Sequence, residues 1–485
     1  MKIETLNNDR EMDKELRQQI DRWTADDEDQ KVIDLLERMP AADRGFEEVG
    51  LLARAYNYVG QYEKALDLLR TIQEEGEQDT KWNYRMGYAL YYLERYKESL
   101  LHLTKAHELD PEDEETVDFI RWCNTKIPFR SRVDDFWQWF VRNEAELSKM
   151  VEKRGECDPD EVLGIIEQGT NLIGEDVRFN IGGDYEFTFS VEGNSHLFYL
   201  YPYLISRMPE QLKGKWHFFP FNQGTDVPFD FQMYGAKINM AEVCVDVEYN
   251  EERNVFSISF YEQSLCALPE TEAYNAFFIM MEIMLGEGIS YHYIADVDRA
   301  ERQSESMISL AELRRHIAET LNKHGKKVFE NPQEVFSSYR LEPQENEELR
   351  YDVAVGSTCF SDLVARYYQN DTELFDSINR FGAQAVFLAF PCENGDAEQR
   401  KAILELRYAL EDRIEKEVLK SEGLGLLLGG ALGVCTGYMD FLLYDVDAFV
   451  EKVVPILHEY PQYSFYLSDF RQHCRLTRLT EAAEE

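Results

Sequence analysis

Residues 52–69 and 86–103 carry one pattern twice. In "LARAYNYVGQYEKALDLL" and "MGYALYYLERYKESLLHL", Leu52 corresponds to Met86, Ala53 to Gly87, Tyr62 to Tyr96, Ala65 to Ser99 and Leu66 to Leu100, each pair 34 positions apart. A fixed period of this length constrains the fold more than any composition does. One unit cannot bury its own apolar face, so units must stack on one another. The small residues Ala53, Ala65, Gly87 and Ser99 let paired helices approach closely, and Tyr62 and Tyr96 fill the turn between them. Pro111 closes the second unit because proline cannot continue a helix.

These features resemble the tetratricopeptide repeat, with units at Glu47–Glu77 and Lys81–Pro111. A degenerate third, "DDEDQKVIDLLERMPAADR", supplies a second helix only, with Val32, Leu35 and Leu36 apolar. The segment "EETVDFIRWCNTKIPF" is expected to cap the array, which gives an all-α domain over 1–128. The resemblance implies a concave face lined by the first helix of each unit. It places Arg54, Asn57 and Tyr58 there from one unit, and Lys81, Tyr84, Arg85, Tyr88 and Tyr91 from the next, with Tyr92 beside them. Lys81 and Arg85 stand where some peptide-binding repeats clamp a terminal carboxylate. Leu51 occupies the place of the asparagine such clamps use. The expected partner is a protein or peptide with an acidic or C-terminal segment, the chain's own tail "RLTEAAEE" included.

Beyond residue 128 the patterning changes. "SRVDDFWQWFVRNEAELSKMVEK" reads as a long helix whose Phe136, Trp137, Trp139 and Phe140 form a domain-docking surface. Period-two runs then point to two α+β domains, 129–300 and 301–485. In the first, "YEFTFSV", "KWHFFPFN", a hairpin over 242–262 and "ISYHYIADV" read as strands, which puts His217 and His292 in strands. In the second, "DVAVGSTCFSDLVARYY" reads as helix-rich, with Ser357 or Thr358 capping a helix. Asp396 and Gln399 make a capping box. From about 385 to 470 the order is β-α-β-β-α-β, the ferredoxin-like arrangement, predicting a four-stranded antiparallel sheet with both helices on one face. A looser version is expected over Val177–Val297, with an added hairpin.

The stretch "GLGLLLGGALGVCTGYMDFLLYD" tests three function classes at once. It has no lysine after its glycines, so it is no phosphate loop, and "GLGLLLG" departs from the dinucleotide fingerprint at the third glycine. Its uncharged part, 423–439, is shorter than the ~20 apolar residues of a spanning helix. The stretch is expected to be a strand, a loose connection and a second strand. A net charge of −42 repels nucleic-acid phosphates and anionic lipid and suits a basic partner, such as a toxin-like protein. Eight dispersed cysteines without a C-x-x-C pair and a polar start without an apolar h-region point to the cytoplasm. The histidines show no metal spacing, Ser357 and Cys359 lack a nucleophile elbow, and Asp296, Asp298 and Glu301 lack the calcium-loop glycine.

The motifs "KWHFFPFN" and Gly433–Phe441 also resemble an uncharacterised type of bacterial α+β domain found in proteins taken as immunity or regulatory factors. The expected function is therefore non-catalytic protein binding, with no cofactor, metal or catalytic residue. The alternative is an enzyme with its site in a cleft between the two α+β domains.

Overall fold

A computed structural model describes residues 12, 14–153, 158–344, 348–392 and 397–482, and shows a mixed helix-and-sheet chain of two compact units, Met1–Ile127 and Pro128–Glu485. No helix among the described residues is long and apolar enough to cross a membrane.

The first unit is helical. Helices α1 (Lys14–Ala25) and α2 (Asp29–Glu37) form one hairpin, α3 (Phe46–Tyr58) and α4 (Tyr62–Arg70) a second, and α5 (Thr80–Tyr92) and α6 (Tyr96–Leu109) a third; α7 (Glu114–Lys126) follows. The degenerate unit thus has both helices, not the second alone. The small residues act as the sequence requires: Ser99 Oγ donates to the Gly87 carbonyl at 2.7 Å, and a Cβ on Gly87 would lie 2.5 Å from Leu103. Each hairpin turns through one left-handed residue, Asp27 (φ 55°), Gly60 (φ 77°) and Glu94 (φ 59°). The hydrogen bonds around the three are equivalent; Glu28 N donates to Trp23 O, Gln61 N to Tyr56 O, and Arg95 N to Leu90 O. The repeat is therefore written into the turns as well as the helix faces.

Among the described residues the second unit has four sheets, of three, two, four and seven strands. Strands β1 (Arg178–Gly182), β2 (Glu186–Ser190) and β3 (His217–Phe219) make a small sheet with β3 at its edge. A two-stranded ribbon follows, β4 (Asp230–Met233) with β5 (Ala236–Asn239). Strands β6 (Cys244–Asn250), β7 (Val255–Tyr261), β8 (Ile294–Arg299) and β9 (Ile308–Ser309) form a sheet of order β8-β7-β6-β9. The looser ferredoxin-like arrangement expected over Val177–Val297 is thus corrected: its strands divide between separate sheets because they serve different cores. Phe187, Phe189 and Phe218 pack with α8 (Phe129–Glu152), whereas Val245, Phe256 and Phe260 pack with α10 (Glu270–Leu285) and with Leu313, Ile317 and Leu321 of α12 (Leu313–Lys323). Residue 300 lies within the span of this second core.

Phe136, Trp137 and Phe140 are buried in the first of these cores. His292 sits in α11 (Glu287–Tyr293), not in a strand; β8 begins only at Ile294.

The largest sheet has seven strands, all antiparallel neighbours: β10 (Ser337–Arg340), β11 (Val353–Thr358), β13 (Gly425–Gly433), β14 (Thr436–Leu443), β12 (Gln384–Pro391), β15 (Phe465–Asp469) and β16 (Thr477–Thr480). The four central strands run from β13 to β15, and three more extend the expected sheet at both edges. Residues 353–358 are strand, not helix, because β10 and β13 pair with them on both sides. Helix α13 (Ser361–Gln369) starts after Thr358 Oγ1 accepts from Phe360 N at 2.9 Å. Asp396 lies outside the described residues.

Helices α15 (Ala397–Ile414) and α16 (Val446–Leu457) cover one face of this sheet, where Leu410, Ile414, Phe449 and Val453 meet Leu388, Met439 and Phe441. The other face, with Phe387, Tyr438 and Leu442, belongs to the core built on α8. The glycine-rich stretch forms the two strands β13 and β14, joined through residues 434–435 alone, and β13 runs unbroken through its glycines with a bulge between Leu427 and Gly429. Gly429 has φ 139°, and a Cβ there would lie 2.0 Å from the Ser357 carbonyl. Glycine lets β11 and β13 close together at the bulge.

A buried ion pair locks this face. Arg350 (0% exposed) donates to both oxygens of Asp440 (1% exposed), at 2.5 and 3.1 Å, and its guanidinium lies 4.4 Å from the Phe470 ring centre.

Candidate functional site

The residues singled out in the repeat converge on α3 and α5, with α1 and α7 flanking. Arg17, Arg54 and Arg85 come from α1, α3 and α5, the first helices of the successive hairpins. Arg17 pairs with Asp21 at 3.0 Å and with Glu47. Arg54 pairs with the buried Asp29 at 2.9 Å and stacks over Tyr58 at 4.2 Å. Arg85 differs. Its guanidinium reaches back onto α3, so that a Cβ on Gly50 would lie 2.5 Å from its terminal nitrogen. Among the described residues its guanidinium makes no hydrogen bond or ion pair. Burial pulls it down to about 10; Asp79 partly offsets this, while Arg54 and Arg17 add to it as like charges. It stays a cation at neutral pH. Lys81, one turn earlier on α5, is exposed.

Aromatic rings wall the same face. Tyr88 stacks on Tyr58 at 5.7 Å and lies 6.1 Å from Tyr84 and 5.2 Å from Phe119. Tyr91 meets Phe119 at 5.2 Å. Burial raises the phenols of Tyr84 and Tyr88, the Glu115 carboxylate adding to the first. Both therefore stay neutral at physiological pH. The tyrosines are packed on one another yet leave edges in solvent: Tyr58 and Tyr92 are close to half exposed.

Asn57 is a correction. It is buried, not on the open face, and its side-chain amide donates to the Arg85 carbonyl at 3.0 Å. It holds α3 against α5 and so positions Arg85. Of the tail, residues 477–480 pair with β15 as β16, and residues 483–485 lie outside the described residues.

Three contributors escaped the sequence reading. Asp29 neutralises Arg54, and Phe119 and Trp122 of α7 extend the aromatic wall, their rings 4.8 Å apart. The i, i+3 spacing of the two rings was the available signal. Next to Tyr58 opens a hollow of about 480 Å³ lined by Asp27, Glu28, Asp29 and Lys31, the last paired with Glu28 at 2.6 Å. The face thus combines an aromatic wall with positive charge at Lys81 and Arg85, neither of which has an ion-pair partner among the described residues. Comparison with protein-family models, curated proteins and solved structures finds no match for this chain.

Proposed function

We propose that this chain is a non-catalytic protein-binding protein of the cytoplasm. Its helical hairpins form a tetratricopeptide-type groove that captures an anionic segment of a partner, and its α+β body contains a ferredoxin-like core. The observation that carries the binding reading is Arg85, a largely buried guanidinium against α3 with no counter-ion among the described residues, beside two arginines that have theirs. An unpaired cation so placed is costly, and a partner's carboxylate would offset that cost with a charge-assisted hydrogen bond.

What supports the repeat reading is the recurrence of one turn at 27, 60 and 94. What supports the ferredoxin-like reading is the strand order β15-β12-β14-β13, with α15 and α16 on one face. The seven described cysteines are free thiols, which supports a reducing compartment.

The test is fluorescence anisotropy with labelled acidic and basic peptides of equal length. The acidic peptide should bind, more weakly as salt rises. Arg85→Met should weaken it by about tenfold or more, the loss of one charge-assisted contact. Its melting temperature should hold or rise, because the variant no longer buries an unpaired charge. Unchanged binding by Arg85→Met, or a preference for the basic peptide, would sink the groove reading.

A further inference from the structure

A second site lies in the α+β body. A cavity of about 160 Å³ opens between the chain following β2, helices α10 and α11, and the start of β8. A dry cavity of roughly 150 Å³ holds a six-carbon ring, so the space suits a ligand of that size. None of its lining residues is basic.

Two carboxylates face it, and they differ. Glu287 is buried and saturated: its oxygens accept from Ser190 Oγ at 2.6 Å and from the backbone amides of Val191, Glu192 and Asn222 at 3.0, 3.2 and 2.9 Å. These four hydrogen bonds tie the strand end to α11. Glu282 has no hydrogen-bond or ion-pair partner for its side chain among the described residues. Burial pushes its carboxyl up to about 7, and the charges of Glu287 and Glu192 push the same way. Such a group gains from an arriving cation.

An independent feature points to a ligand. Ser290 is 7% exposed, lines the cavity, and its hydroxyl has no partner among the described residues. Buried hydroxyls are normally satisfied. The remaining walls are apolar or aromatic. The Phe198 and Tyr291 rings lie 4.8 Å apart, and Met281 and Phe278 line the cavity with them. A metal ion would want several oxygen or nitrogen ligands. Among the described residues no group of three or more His, Cys, Asp or Glu side chains could hold one.

We propose that this cavity binds a primary alkylammonium group, with Glu282 as its counter-ion, Ser290 Oγ as a second acceptor, and Phe198, Tyr291 and Met281 against its methylenes. The ammonium brings three donors and a charge; the two acceptors and the aromatic faces match both. A free small amine and a lysine side chain share this chemistry. The site is independent of the helical groove and stands or falls separately.

Calorimetry on the full chain tests it, with n-butylammonium chloride, Nα-acetyl-lysine methylamide and n-butanol as probes. At pH 8 at least one ammonium probe should bind, and butanol should not. Binding of butylammonium assigns a free amine, and binding of the lysine probe alone assigns a protein side chain. Below pH 7 the affinity should fall by about tenfold per pH unit, as Glu282 takes up its proton. Glu282→Gln should abolish binding, and Glu282→Asp, which keeps the charge, should weaken it less. Should Glu282→Gln not fold, the pH profile of the native protein decides alone. Binding of neither ammonium, equal binding of butanol, a flat pH profile, or full affinity in Glu282→Gln would each overturn the proposal.

Discussion

At the scale of single residues, this protein is defined by where it leaves charges. Arg350 and Asp440 are both buried and satisfy each other in a two-pronged contact. Asp440→Asn should cost about 3–5 kcal/mol, because it strands a buried guanidinium; urea denaturation of the variant measures this. A loss below ~1 kcal/mol would show that the cluster is hydrated or adaptable. Glu282 gives a pH signature of the opposite kind. Its folded value, about 7, lies above the ordinary 4.5, so between those pH values the folded state keeps a proton that the unfolded state has lost. Stability therefore falls as pH rises through that window, and the whole cost is present above it. Thermal melts of wild type and Glu282→Gln should diverge from pH 5 to pH 7, with the variant the more stable at pH 7. Parallel curves would mean that the carboxyl is solvated.

At the scale of elements, the turns carry as much of the design as the helices. Asp27, Gly60 and Glu94 hold the same left-handed conformation, yet only one of them is glycine. A side chain in that region is disfavoured by roughly 1 kcal/mol. Glu94→Gly should thus raise stability by up to about 0.5 kcal/mol, after the added unfolded-state entropy of glycine is subtracted. The melting temperature of the isolated variant checks it, and a decrease would refute the equivalence of the turns. Much of this level was legible in advance. The spacing of Ala53, Gly87, Ala65 and Ser99 states which helices touch, because small residues matter only where backbones approach. Strand β11 was not legible. Val353–Thr358 has a glycine at its centre and leads straight into a helix, and its identity comes from the partners β10 and β13.

At the scale of the whole molecule, the chain is two units with separate cores. The apolar clusters of the first unit draw only on residues up to Cys123. Residues 1–127 expressed alone should therefore fold, giving a helical circular dichroism spectrum and one cooperative melt. A fragment without a cooperative transition would show that its helices need the body. The body is less divisible, because its main core mixes Phe136 and Phe189 with Phe360, Phe387 and Tyr438.

The sequence by itself determined the helical period, the tight contacts within hairpins, the strand–helix order from 384 to 470 and the absence of phosphate-loop and metal spacings. These are local statements, readable from neighbours within one or two turns or strands. Tertiary structure alone decided that Asn57 is a buried strut, that Arg54 is neutralised by Asp29 while Arg85 is not, and that Glu282 and Ser290 meet across one cavity. It also decided that residues 477–480 join a sheet. The physical reason is the same in each case. Whether a polar group is free, paired or buried depends on what arrives from elsewhere in the chain, and burial and partnership have no period for a sequence to display.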